Sequence, residues 1–140
     1  MKITIGSDHA GFHYKTKVIE FLEVKKNVKI LDVGPFNSNS VDYPDYAHLV
    51  SEELFAGANF GILICGSGNG ISMAANKHRH IRSAVCWNKE ITKLARNHNN
   101  ANIISIPARF ITHKESLDLI DVFLKEKFEG GRHKNRVEKI

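Results

Sequence analysis

Residues 60–65, Phe-Gly-Ile-Leu-Ile-Cys, form an unbroken apolar run that stops at Gly66-Ser67-Gly68-Asn69-Gly70. Such a run is the pattern of a strand buried on both faces, and a strand of that kind belongs in a parallel sheet with helices above and below it. The rest of the chain repeats the unit. Residues 2–6 alternate and are β-branched, which predicts a first strand. Residues 11–26 follow with helical spacing, Phe12, Val18, Phe21 and Leu22 sharing one face. A second strand spans 28–34 and ends at Gly34-Pro35; residues 35–44 form a polar loop. Asp45 is the expected cap of a helix to about 56 whose apolar positions are Tyr46, Leu49, Val50 and Leu54. Residues 70–80 read as helix and 82–87 as a fourth strand, after which Asn88 caps a helix to about 98. Residues 101–107 make the fifth strand. Thr112 to Glu115 fits a capping box, opening a helix to about 127 with Leu117, Ile120, Phe123 and Leu124 inward; a short basic tail closes the chain. Five strand–helix alternations predict an α/β fold built on a parallel sheet of about five strands. The length of 140 residues predicts one domain over 1–140.

Composition removes several function classes. No apolar stretch approaches the roughly 20 residues of a membrane helix. The opening Met-Lys-Ile-Thr-Ile-Gly reads as strand and turn rather than as a secretion signal, so a soluble cytoplasmic protein without a membrane partner is expected. Two cysteines, Cys65 and Cys86, make no disulfide framework and read as free thiols at strand ends. The net charge of +5 invites a nucleic-acid partner. The lysines, however, are scattered over helical faces, and the basic patch at 130–139 has no aromatics interleaved. A small anionic ligand accounts for clustered arginines equally well.

In sheets of this class ligands bind beyond the carboxyl ends of the strands. The first such loop, Gly6 to Gly11, lacks the Gly-Lys-Ser/Thr of a nucleotide loop. Ser7 or Asp8 can cap the following helix there, or Asp8 and His9 can face a ligand. The second is Cys65-Gly66-Ser67-Gly68-Asn69-Gly70. Its G-x-G-x-G spacing and the absence of an acid after the next strand, where Trp87-Asn88 stands, argue against a dinucleotide. What remains is a run of backbone amides at a helix start, suited to a phosphate or a reaction oxyanion. The same positive end is expected to lower the pKa of Cys65. Spacing alone also fits Cys65 as a buried core residue; Cys86, without a glycine loop, reads as structural. His98 and Asn99 lie at a helix end, where helix termination explains them as well as chemistry does. His78 and His80 flank Arg79 and read as surface, with no third metal ligand nearby in sequence. Arg132 and Arg136, four apart, share a face if the tail is helical, and two guanidinium forks suit a phosphate.

Together these segments resemble the type B ribose-5-phosphate isomerases, the group that also holds allose-6-phosphate and galactose-6-phosphate isomerases. The resemblance rests on Gly6–Gly11, Asp32-Val33-Gly34, Asp42-Tyr43-Pro44, residues 61–77, Ile81–Val85, His98–Asn102 and Glu129–Val137, all in family order. It implies a Rossmann-like three-layer α/β/α sandwich and an aldose–ketose isomerase acting on ribose 5-phosphate through an enediolate. No cofactor or metal is implied. It also implies a homodimer or dimer of dimers with the active site at the subunit boundary. Carried over by position, Cys65 matches the general base and His98 the residue that opens the sugar ring, with Asp8 opposite it. Ser67 matches a hydroxyl able to move a proton between substrate oxygens. Asp8, His9, Tyr43, Gly66, Ser67, Gly68, Asn69, Gly70, Asn99, Arg109, Arg132 and Arg136 match ligand-contacting positions, with His9 and the three arginines on the phosphate. Cys65 present, and Ile71 where another branch has glutamate, resemble the cysteine branch. Ser67 stands where many of that branch have threonine. A six-carbon sugar phosphate is the alternative substrate, and a non-catalytic sugar-phosphate or nucleotide-binding module the alternative class.

Overall fold

A computed structural model describes residues 1–140. Eleven elements follow one another as β1 (Lys2–Ser7), α1 (Phe12–Glu23), β2 (Lys29–Asp32), α2 (Tyr43–Phe55), β3 (Phe60–Cys65), α3 (Asn69–Ala75), β4 (Ser83–Val85), α4 (Lys89–Asn97), β5 (Ile103–Pro107), α5 (His113–Lys125) and α6 (Arg132–Val137). The five strands form one sheet in the order β2-β1-β3-β5-β4, and every pairing is parallel. Alternation along the strands separates two cores. On one face Ile3, Ile5, Ile62, Ile64, Ile104 and Ile106 meet Val18 and Leu22 of α1, Ala95 of α4, and Leu119, Ile120 and Phe123 of α5. On the other, Leu63, Cys65 and Ile103 meet Ala47 and Val50 of α2 and Ile71 and Ala75 of α3. The result is the expected three-layer α/β/α sandwich.

Local chemistry explains where elements begin. Asn88 accepts the Ile91 amide at 2.9 Å and caps α4 as expected. Thr112 and Glu115 form the reciprocal capping box of α5. Asp45 is not a cap. α2 starts two residues earlier, at Tyr43, with Pro44 in its first turn, where a missing N–H costs nothing. Asp45 instead places its negative charge in that first turn, favourable to the helix dipole. Ser7 and Asp8 do not cap α1 either; its N-cap is Gly11, and Asp8 Oδ1 accepts the Gly11 amide. α1 stops at Glu23, and the chain turns at Asn27, whose φ is 65°. α3 is shorter than its apolar pattern and ends at Ala75, because Asn76 is drawn into paired hydrogen bonds with the Ser83 backbone. Leu49, read as an apolar position of α2, is exposed. The basic tail is ordered as α6.

Gly11 is the tightest approach in the fold. A Cβ there would collide with the Ile64 carbonyl and side chain. Gly11→Ala is therefore expected to destabilise the protein by about 3 kcal/mol, the upper part of the usual cost of overpacking. Urea denaturation measures this, with the midpoint falling and the slope unchanged; a loss under about 0.5 kcal/mol would contradict the packing argument.

Candidate active site

The order β2-β1-β3-β5-β4 sets a switch point: the chain leaves β1 toward one edge of the sheet and leaves β3 toward the other. Open α/β sheets form a crevice at that place, beyond the carboxyl ends of the two strands. Asp8 directly follows β1, and Cys65 is the last residue of β3. The Asp8 amide donates to Ile64 O at 3.0 Å, which extends the β1–β3 ladder one step and turns the carboxylate toward the thiol. Cys65 Sγ then donates to Asp8 Oδ2 at 2.9 Å, while Asp8 Oδ1 accepts the Gly11 amide at 2.9 Å. Both side chains are buried, at 7 % and 6 % exposure.

The burial of the thiol, with this contact, overturns the expectation of an acidified thiol. Burial, then the hydrogen bond and charge of Asp8, push the Cys65 thiol up to about 11; the amides of Gly68 and Ser67 pull in the expected direction but lose. α3 has only seven residues, and the carboxylate stands closer than any helix dipole. At neutral pH the pair therefore keeps a proton on sulfur, hydrogen-bonded to a carboxylate. Cys86 is also buried and pushed to about 11, by burial first.

The glycine loop is shaped by what lies on it. Gly68 adopts φ 75°, a conformation that favours glycine. The Arg109 amide donates to Gly66 O at 3.0 Å, and the Arg109 guanidinium lies over Gly66, where a Cβ would sit 3.1 Å from its Nε. A Cβ on Gly70 would sit 2.6 Å from the Tyr43 ring. Ser67 and Asn69 are exposed, with Ser67 Oγ accepting the Asn69 amide at 3.3 Å. His9 Nδ1 accepts the Val41 amide at 3.3 Å, tying the first loop to the segment before α2. Beside the loop, a cleft of about 430 Å³ is bordered by Ser67, Asn69, Trp87 and Phe110; neither Cys65 nor Asp8 lines it.

His98, Asn99, Arg132 and Arg136 lie elsewhere. His98 is the C-cap of α4 and Asn99 follows it, both ahead of β5 and therefore at the amino edge of the sheet. Arg109 follows β5, at the carboxyl edge. The length of β5 separates the two groups, roughly 15 Å for five residues. The tail joins the amino-edge group, since the Glu129 amide donates to Asn97 O at 3.0 Å ahead of α6. Within one chain, then, Asp8 does not stand opposite His98; it is engaged with Cys65. His78 and His80 gain a neighbour in His48, whose Nδ1 lies 2.8 Å from His78 Nε2 as a hydrogen bond.

Two supporting residues gave no signal in the sequence, because scattered cations read as solvated. Arg96 is 7 % exposed and lies over the rings of Phe60 and Phe123, 4.9 and 5.5 Å from their centroids. Its guanidinium donates to Ala101 O, to Asn100 Oδ1 and to Glu126 O, joining the His98–Asn99 loop to the root of the tail. Lys15, 2 % exposed, pairs with Asp32, which also accepts the Gly34 amide; Gly34 O in turn receives the Ser7 amide beside Asp8.

Residues 3–140 match the family model described as Ribose/Galactose Isomerase. Escherichia coli ribose-5-phosphate isomerase B is 40% identical over 140 residues, covering 99% of this chain and 93% of that protein. The crystal structure of a Thermotoga maritima ribose 5-phosphate isomerase superposes with a TM-score of 0.95 at 46% identity, covering 99% of this chain and 95% of that one. The Mycoplasma genitalium ribose-5-phosphate isomerase B, solved with bound ribulose-5-phosphate, gives a TM-score of 0.94 at 40% identity over 99% of this chain and 92% of that one.

The thiol environment makes a prediction of definite sign. Because the folded-state pKa of Cys65 is raised from 9.0 to about 11, the thiolate fraction grows only as pH climbs through that window. Alkylation of Cys65 by iodoacetamide, followed by peptide mass spectrometry, is expected to be slow at pH 8 and to rise toward a midpoint near 11. Asp8→Asn removes the opposing charge and is expected to speed alkylation at pH 8 by about tenfold, as one pKa unit would. Slower alkylation in the variant would contradict this electrostatic reading.

Proposed function

The chain belongs to the ribose/galactose isomerase family, and we propose that it interconverts ribose 5-phosphate and ribulose 5-phosphate through an enediolate, with Cys65 as the base. The observation that carries this reading is the Cys65–Asp8 contact at the switch point, beside the glycine loop. A sugar-phosphate isomerase must move a proton between C2 and C1 while charge collects on the carbonyl oxygen. Asp8 supplies what a high-pKa thiol lacks, a proton acceptor 2.9 Å away. Passing the thiol proton to Asp8 leaves a thiolate that removes the C2 proton from the open-chain aldose and returns it at C1. The pair carries one negative charge before abstraction; that charge passes to the enediolate when sulfur takes the C2 proton and returns when the proton is delivered at C1, so no second charge need be desolvated.

The other candidate residues fill the remaining roles. Backbone amides of the loop from Ser67 to Gly70 stabilise the developing enediolate, and Gly66 and Asn69 border the ligand; one such donor is worth about 3–4 kcal/mol in the transition state. The Ser67 hydroxyl, exposed at the loop, moves the proton between O1 and O2. Tyr43 borders the sugar from its seat on Gly70. His98 protonates the ring oxygen on opening, and Asn99 holds a sugar hydroxyl. His9, Arg109, Arg132 and Arg136 grip the phosphate, and that remote grip fixes C1 and C2 at the thiol.

These roles require two chains. Cys65, Asp8, His9 and Arg109 belong to the carboxyl edge, and His98, Asn99, Arg132 and Arg136 to the amino edge, with the sheet between them. A two-fold pair that sets the carboxyl edge of one copy against the amino edge of the other completes two equal sites. The working unit is accordingly a homodimer, or a dimer of such dimers.

Cys65→Ala is expected to abolish turnover of ribose 5-phosphate by at least about 1,000-fold while sugar-phosphate binding survives, because a base is lost and the phosphate grip is not. Retained turnover would assign the base elsewhere. Arg132→Ala is expected to raise KM by about tenfold or more with a smaller change in kcat. Inactive Cys65→Ala and His98→Asn chains, unfolded together and refolded, are expected to recover about a quarter of wild-type activity, since half the dimers are mixed and each mixed dimer has one intact site. No recovery would contradict the two-chain site.

A further inference from the structure

At the amino edge, outside the proton-transfer pair, three ligand-bearing side chains converge. One donor atom from each of His98, Glu129 and His133 lies within 4.8 Å of the other two. His98 Nε2 is 3.8 Å and His133 Nε2 3.9 Å from the same oxygen, Glu129 Oε2. The two imidazoles stack nearly parallel, 8° apart with centroids at 4.0 Å, and both Nε2 atoms lie on the side of Glu129. These separations are too long for hydrogen bonds. The backbone fixes the arrangement: the His98 amide closes α4 on Leu94 O at 2.9 Å, the Glu129 amide bonds Asn97 O at 3.0 Å, and the His133 amide bonds Gly130 O at 3.0 Å.

We propose that His98, Glu129 and His133 form an inhibitory site for a divalent transition metal of the zinc class. Two imidazoles and one carboxylate with a fourth position open are a recurrent zinc donor set. Bonds of about 2.0–2.2 Å in a tetrahedron put donor atoms roughly 3.3–3.5 Å apart. The donor atoms now lie up to 4.8 Å apart in two parallel ring planes, so binding requires Glu129, 54% exposed, to rotate and His98, 35% exposed, to swing out of the stack until both ring planes meet at the metal. The C-terminal end of α4 at His98 adds favourable negative potential. Arg132 and Arg136 oppose the cation, and they also draw an anion toward its open position. Nitrogen donors select zinc, cobalt, nickel or copper over magnesium or calcium. A bound metal takes the Nε2 of His98 and so removes it from ring opening. Binding stands on this geometry alone; inhibition rests on the isomerase reading.

The probe is Co²⁺, titrated into the full chain after metal is stripped with chelator. One equivalent is expected to give a tetrahedral visible d–d spectrum that Zn²⁺ displaces and that Cys65→Ser leaves unchanged. Glu129→Gln and His133→Gln are each expected to weaken Co²⁺ binding by about 100-fold. Zn²⁺ is expected to lower wild-type turnover by about tenfold or more, reversibly with chelator, and to lose that effect in Glu129→Gln, whose metal-free turnover is unchanged. Absence of a Co²⁺ spectrum, or a spectrum that survives both Glu129→Gln and His133→Gln or vanishes with Cys65→Ser, would overturn the site. Stoichiometric binding without inhibition would overturn its regulatory role and leave the isomerase reading to be tested by Cys65→Ala.

Discussion

The 2.9 Å contact between Cys65 and Asp8 depends on a feature of the whole sheet. In a parallel sheet all strand ends that carry function lie along one edge, and only at the switch point do two neighbouring chains diverge and leave space. β1 and β3 meet there, and each delivers one residue of the pair. The Asp8 amide bonded to Ile64 O carries the strand register past the end of β1, so the position of the carboxylate follows from the backbone ladder. The buried Lys15–Asp32 ion pair and the Gly34 carbonyl hold the same strand end from the other side. The placement of the pair is thus inherited from elements far larger than the site.

The same geometry explains why the candidate residues do not meet within one chain. Each βαβ unit returns its helix to the amino edge, and α4 carries His98 there by construction of the topology. Buried Arg96 fastens that edge, since its carbonyl acceptors lie on both the His98–Asn99 loop and the end of α5. A guanidinium with no carboxylate partner, packed over two aromatic rings, is an expensive fastening, and it is used where the tail must leave in a set direction. Dimerisation in this reading is a requirement of the chemistry rather than a route to added stability.

Much of the fold was legible because its signals are local. The apolar run at 60–65 gave the doubly covered sheet, and Asn88 and Thr112 gave helix starts through side chains that reach their own backbone. Asp45 reads as a cap but lies inside the helix, because Pro44, one residue earlier, fits the first turn without an N–H and lets α2 begin at Tyr43. Segment order named the candidate site residues, but spacing along a chain carries no information on which edge of the sheet each occupies. The thiol's pKa was missed for the same reason. A glycine loop is visible in sequence, whereas the burial of the thiol and a carboxylate 57 positions away are not, and burial first, then the carboxylate at 2.9 Å, outweigh the loop amides. Lys15 and Arg96 were invisible because a buried cation and a solvated one look alike until their surroundings are known.

The central claim is that this chain moves a proton between C2 and C1 of a phosphorylated sugar through an enediolate. Turnover of ribose 5-phosphate by the pure protein in deuterated water tests it most directly. The account predicts ribulose 5-phosphate that carries solvent deuterium at C1, together with deuterium appearing at C2 of the unconverted aldose. Product formed through full conversion without any solvent deuterium would point to hydride transfer and contradict it, as would the absence of turnover.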